Sequence, residues 1–281
     1  MKPRRAPSPV VATYIGPPSR RPQLGLRELW RARDLAVIFA TRDVKLRYRQ
    51  TILGVFWVLV GPTLAAAVFS FVFSSVAKLP SQHLPYFLYA LAGMVGWTAF
   101  SNGLSRLSQV FVSNGPLISK VYFERLALGL GTLLATLVDL ATLLGIFVLA
   151  MVGYGVAPTL AILTLPLWLL AIVLLCAGAG LGVGALMVRY RDLLPIVTLG
   201  SQLLLYVSPV AYGEAAVPGR LRTIFELNPL TGLLGGLRWC LLDTPLPSAA
   251  NLLYSAAVAV VAAVVGLMVF RRQERAFSDV I

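Results

Sequence analysis

The chain has 281 residues, 58% apolar and 12% charged, a charged fraction about half that of an ordinary soluble domain. A mean hydropathy of +0.82 is more apolar surface than one water-facing core of this size can hide, which excludes a disordered protein and disfavours a two-domain soluble enzyme. The formal charge of +13 suits nucleic acid or an anionic membrane surface, and where the charges fall decides between them.

Residues 1–23 carry Pro3, Pro7, Pro9, Pro17, Pro18 and Pro22 among scattered arginines and read as a disordered cytosolic tail, too polar to offset chain entropy by burial. No long apolar run begins before about Ile52, so the expected insertion is through the chain's own spans and not through a secretory signal. Residues 24–50 interleave Leu26, Leu29, Trp30, Ala36, Val37 and Phe39 with Arg27, Arg31, Arg33, Arg42, Lys45 and Arg47. That pattern predicts an amphipathic helix in the membrane interface, an ordinary solvated juxtamembrane helix being the alternative.

From residue 51 onward the chain reads as an all-α polytopic membrane protein. Six segments have the roughly 20 apolar residues a helix needs to cross a bilayer core. They are about 52–77, 86–110, 126–152, 160–188, 193–212 and 252–270. Six crossings put both termini on one side, and the lysines and arginines then divide 20 to 4, which predicts cytosolic termini. The basic surplus is thereby topology, with no nucleic-acid role. Gly61-Pro62 predicts a kink in the first span. In the fourth, Gly178, Gly180, Gly182 and Gly184 form two overlapping G-x-x-x-G pairs, suited to close helix packing in lipid.

The inventory for chemistry is thin. One histidine, His83, and two cysteines, Cys176 and Cys240, make no metal-ligand set, and no disulfide is expected. None of the four lysines lies in a phosphate-binding loop, so no ATPase site of its own is expected. Asp139, the acid near the middle of a span, reads as a structural polar contact, with a transport site as the alternative. Asp139→Asn is therefore expected to keep most transport.

Three other constellations remain. Tyr86, Tyr89, Gly93, Trp97 and Phe100 recur at helical spacing, and Phe69 and Phe73 share a face of the preceding span. Such rings could line a sugar pathway by stacking on pyranose faces, or serve packing and interfacial anchoring. SNGPLISKVYFERL predicts a short amphipathic helix whose apolar side seeks a groove, or a simple interfacial turn. Between the last two spans, Asn228-Pro229 ends one helical stretch and begins another, predicting two re-entrant half-helices in the outer leaflet, with Arg238 on the second.

Taken in order, RDVKLRYRQTILGVFWVLVGP (Arg42–Pro62), NGPLISKVYFERL, RYRDL (Arg189–Leu193), SPVAY (Ser208–Tyr212), LNPLTGLLGGLRW (Leu227–Trp239) and the terminal ERAFSDVI resemble a known family. It is the membrane subunit of polysaccharide-exporting ABC transporters, the type-2 permeases for O-antigen, teichoic acid and related glycans. The resemblance covers about residues 24–281, with one departure, Glu124 where the family usually has Pro. It implies a homodimeric half-transporter in a bacterial cytoplasmic membrane, paired with a separate ATP-binding subunit that holds the ATP, and no cofactor on this chain. It also implies that Pro116–Arg125 is the coupling helix, with Leu117, Ile118, Tyr122 and Phe123 docked in the ATPase and Lys120 and Arg125 beside them. By the same resemblance, Arg27, Arg31, Arg33 and Arg42 would meet the pyrophosphate of a lipid-linked polysaccharide, which passes along the dimer seam. A type-2 exporter of a drug or small lipid shares this pattern. A secondary carrier is disfavoured by the lone Asp139 and the absence of a repeat, and a membrane acyl- or glycosyltransferase by the lack of an acid–base constellation.

Overall fold

The structure, a computed structural model, describes residues 26–49, 56–78, 84–213, 218–274 and 277; the expected tail at 1–23 and His83 lie outside them. In chain order the helices are α1 (Leu26–Arg49), α2 (Phe56–Ser70, continued by a π-helical stretch Phe71–Val76), α3 (Tyr86–Ser113) and α4 (Gly115–Lys120). They continue as α5 (Leu126–Gly153), α6 (Leu165–Met187, preceded by a 3-10 turn Leu160–Thr164), α7 (Leu193–Val207), α8 (Gly219–Glu226), α9 (Pro229–Leu242) and α10 (Ala249–Gln273). No strand occurs among the described residues.

Among the described residues, four stretches are long and apolar enough to cross a bilayer: Val58–Val76, Leu126–Gly153, Leu160–Met187 and Ala249–Gln273. α3 is as long as α5 at 28 residues but less apolar, because it is the hub of the fold. It packs against α2, α5, α6 and α9, so its sides face other helices, and glycine, alanine, tyrosine and tryptophan replace the leucines a lipid-facing helix would carry. α7 has only 15 helical residues, and the chain after it is irregular through Ser208–Gly213. Pro62 lies inside α2 with the helix continuing past it, and the departure from α geometry comes later, in the π-helical stretch.

Small residues set how closely the helices meet. The overlapping glycine pairs of α6 serve two different neighbours. Gly178 lies against the backbone of Ala262 and Gly266 on α10, and Gly182 also faces Gly266; Gly180 and Gly184 lie against Leu107 and Ser108 of α3. One helix is thus wedged between two others through opposite glycine faces, the packing that replaces the hydrophobic effect in lipid.

α1 does not lie free across a surface. Its buried stripe Ala32, Ala36, Ala40 rests on α5, where Gly131 lies against Phe39 and the backbone of Ala36 and Ala40. Arg47 of α1 reaches Asp139 of α5. From Phe39 to Arg47 and from Gly131 to Asp139 both helices advance by eight residues, so α1 runs alongside α5 in the same direction. The expected amphipathic pattern is present, but its small-residue face is spent on a helix rather than on headgroups, and Val37, Ile38 and Leu46 form its exposed apolar side.

Candidate functional site

α4 is a single short helix started by the Asn114 break, with Pro116 in its first turn, where a missing N–H costs nothing. Asn114 holds the corner: its Nδ2 donates to the Val110 carbonyl at 2.9 Å, and its Oδ1 accepts from Arg42 Nη2 at 3.0 Å. Arg42 also chelates Asp43 through Nε and Nη2 at 3.0 and 2.9 Å and lies 5.1 Å above the Phe39 ring. The expected pyrophosphate ligand therefore serves first as a tie between α1 and the α3–α4 corner. Of the other arginines in that set, Arg33 is half-exposed with Nε 3.3 Å from Asp34, and the side chains of Arg27 and Arg31 lie outside the described residues.

The apolar residues around α4 split between two directions. Ile118 is buried with Leu107, Phe111 and Leu126, and Phe123 packs on the Phe39 ring at 5.5 Å, so both serve the chain's own core. Leu117 is half-buried, Lys120 and Val121 are exposed, and Tyr122 is 99% exposed. A tyrosine ring standing wholly in solvent has bought no burial in this chain, and partners prize such rings. Of the four expected docking residues, Tyr122 is fully available and Leu117 is half-buried against the same core, while Ile118 and Phe123 fix α4 to the body.

The end of this segment is clamped by groups that sequence reasoning missed. Glu124 accepts from Arg271 Nη1 at 3.0 Å, and the same nitrogen lies 3.2 Å from Glu274. Arg125 donates to the Glu274 carbonyl, and its guanidinium lies 5.5 Å from the Phe277 ring. Phe277 in turn packs on Phe111 and Phe270. Burial pushes the Glu274 carboxyl above its usual range, with Arg271 opposing. Glu124 thus anchors the last helix. Its signal in the sequence was a lone acid in a basic segment, but its partner lies 147 residues away.

Asp139 is almost wholly buried and accepts from both Arg47 of α1 and Arg106 of α3. Two guanidinium partners on two helices support its reading as a structural contact.

The aromatic residues separate as well. Tyr86, Tyr89, Trp97 and Phe100 are all buried in the core, and the Tyr86 hydroxyl donates to the Ala211 carbonyl at 2.9 Å. Phe69 and Phe73 are half-buried, with Phe73 beside Tyr86 and Tyr212. In this conformation Tyr86, Trp97 and Phe100 act in packing, while Tyr89 also borders an open cavity of about 340 Å³ beside Arg238.

Asn228 caps α9 by accepting from the Leu230 N–H at 3.0 Å and donates to Ser208 Oγ at 2.8 Å, so the SPVAY and LNPL motifs meet. Pro229 occupies the first turn of α9. Arg238, buried, donates to the carbonyls of Tyr89, Val210 and Tyr212, with its guanidinium 4.3 Å from the Tyr89 ring. Carbonyl dipoles and an aromatic face hold this cation in place. Arg238→Leu should lower stability by about 3 kcal/mol, since two buried carbonyls and one part-buried carbonyl lose their donor; an unchanged unfolding midpoint would contradict this.

The chain matches the ABC-2 type transporter family over residues 35–242, a stretch running from α1 through α9. The chain belongs to the ABC-2 type transporter family. Similar proteins include two from Klebsiella pneumoniae, each named O-antigen export system permease protein RfbA, 25% and 24% identical over 250 residues, which is 88% of this chain and 95% of theirs. The protein of the same name from Myxococcus xanthus is 25% identical over 256 residues, covering 90% of this chain and 98% of its own length. As an ABC-2 membrane subunit, the chain is a transport component, and the motif order read from the sequence fits that membership. Both cysteines are buried and unbridged, and no group of metal-binding side chains occurs among the described residues.

Proposed function

We propose that this ABC-2 chain is the permease of an ATP-driven exporter that carries a lipid-linked polysaccharide of the O-antigen class from the cytosol to the outer side of the cytoplasmic membrane. The observation that carries this reading is the near full-length similarity to O-antigen export permeases. The chain works as a homodimer, and a separate ATP-binding subunit engages α4 through Leu117 and Tyr122. α3 and α7 complete six spans with the four apolar stretches, leaving both termini in the cytosol. α8 and α9 form the re-entrant pair of the outer leaflet, broken at Asn228-Pro229. The polysaccharide passes along the dimer seam, where Phe69 and Phe73 keep partly open ring faces. Arg27, Arg31 and Arg33 meet the pyrophosphate, with Arg42 holding their helix to α4.

Depletion of the protein should cause lipid-linked glycan to accumulate on the cytosolic face while surface polysaccharide falls. Wild type should restore export, and the Leu117→Ala/Tyr122→Ala variant should not. Unchanged glycan on both faces would transfer the reading to a small-molecule exporter. A second expectation concerns the arginines: Arg31→Glu/Arg33→Glu should cut export by about tenfold with normal assembly, because like charges would repel a pyrophosphate. Intact export in that variant would remove the gate.

A further inference from the structure

The RYRD motif has no task in the reading above, yet the structure places it beside α4. Between the end of α3, α4 and the α6–α7 connection lies an open cleft of about 390 Å³, lined by Val112, Gly115, Pro116, Ser119, Lys120, Val188 and Arg191. Its charged groups are Lys120 and Arg191, one from each wall. Neither makes an ion pair, hydrogen bond or ring contact among the described residues. Elsewhere the basic side chains next to α4 are occupied: Arg42 holds Asp43 and Asn114, Arg125 holds the Glu274 carbonyl, and Arg271 holds Glu124. The two cations of the cleft are thus set apart from their neighbours by having nothing to hold.

The chain around the two cations has the makings of a protein interface. Tyr122 follows Lys120 closely, and Tyr190, 52% exposed, adjoins Arg191 with the Arg189 guanidinium 5.4 Å from its ring. Exposed tyrosines close in sequence to both cations of a concave basic site match the composition of interface hot spots, where rings supply area and a charge supplies selectivity. Lys120, Arg189 and Arg191 outweigh Asp192, so a complementary surface must be acidic.

We propose that Lys120 and Arg191 form a basic socket for a carboxylate side chain of the ATP-binding partner, making the α6–α7 connection a second docking element beside α4. The proposal rests on the reading of α4 as the ATPase contact. It adds a contact that spans two segments of the permease, so the partner grips the α3–α4 corner and the end of α6 together. Because α6 is wedged between α3 and α10 through its glycines, a pull on this socket reaches both neighbours.

The test uses the permease co-purified with its ATP-binding subunit in nanodiscs of either neutral or anionic lipid. Partner affinity is measured for Arg191→Glu, Lys120→Glu, Arg191→Lys, and Arg220→Glu as a distant control. Arg191→Glu and Lys120→Glu should each weaken association about tenfold in both lipids. Arg191→Lys should lose little, Arg220→Glu nothing, and the wild-type affinity should fall with salt more steeply than that of Arg191→Glu. Unfolding midpoints identify any variant that fails to fold, and Arg191→Lys preserves the charge test in that event. An Arg191→Glu effect confined to anionic nanodiscs would overturn the proposal in favour of a lipid headgroup. Normal affinity in Arg191→Glu with loss in Leu117→Ala/Tyr122→Ala would overturn the socket and leave the α4 reading standing. Normal affinity in all variants would overturn both.

Discussion

Gly178→Leu should destabilise the protein by about 3 kcal/mol, whereas Gly145→Ala should change stability by less than about 1 kcal/mol. Both glycines lie inside long apolar helices, so composition does not separate them. A side chain at Gly178 would enter the backbone of Ala262 and Ala263, which cannot rotate aside as a side chain can; at Gly145 it would meet nothing within 4 Å. α6 and α10 would have to move apart, and the contact with α3 on the other face of α6 resists that movement. Gly182→Ala should fall between, because its added methyl carbon would lie 3.2 Å from Gly266 Cα, a shortfall of a few tenths of an ångström. Thermal unfolding of the purified variants in one detergent gives the order directly. A Gly178→Leu protein melting with wild type would show that the α6–α10 contact does not set stability.

The same glycines show what could be read from sequence. Their four-residue spacing carries the statement that helices approach here, because only a missing side chain permits it. Which helix approaches which face is a matter of three-dimensional assembly. The break at Asn228-Pro229 was equally legible, since capping and the lost proline N–H are local effects that appear where they act. α3 was found as an apolar helix, yet its burial was hidden: tyrosines and a tryptophan at helical spacing look alike whether they line a pathway or fill a hub. The Arg271 clamp on Glu124 and the paired arginines on Asp139 were out of reach for another reason. Each joins residues far apart in the chain, and neither a charge count nor a period records a partner. Arg42 is the instructive middle case. Its position among basic residues suggested a phosphate ligand, and the structure shows the guanidinium engaged with Asp43, Asn114 and Phe39.

The Asp139 variants should divide stability from transport. Asp139→Leu should cost about 2–3 kcal/mol, because it leaves Arg47 and Arg106 facing one another without their shared acceptor; the figure allows for the quarter exposure of both arginines. Asp139→Asn keeps a carbonyl oxygen that both guanidiniums can use, so its cost should be nearer about 1 kcal/mol. If the carboxylate only ties α1, α3 and α5 together, each folded Asn molecule should export almost as much glycan as wild type. A carboxylate that handled protons or substrate would instead be needed in every cycle. Flux per folded transporter, taken with the unfolding midpoint, distinguishes the two. A well-folded Asp139→Asn protein without transport would return the residue to the pathway. The arrangement argues for the tie: one oxygen engages two arginines from two helices, and α1, through Arg42, also holds the α3–α4 corner. Loss of the acid should therefore loosen the C-terminal end of α1, while Arg42 and the packing of Ala32, Ala36, Phe39 and Ala40 on α5 keep the rest of the helix in place.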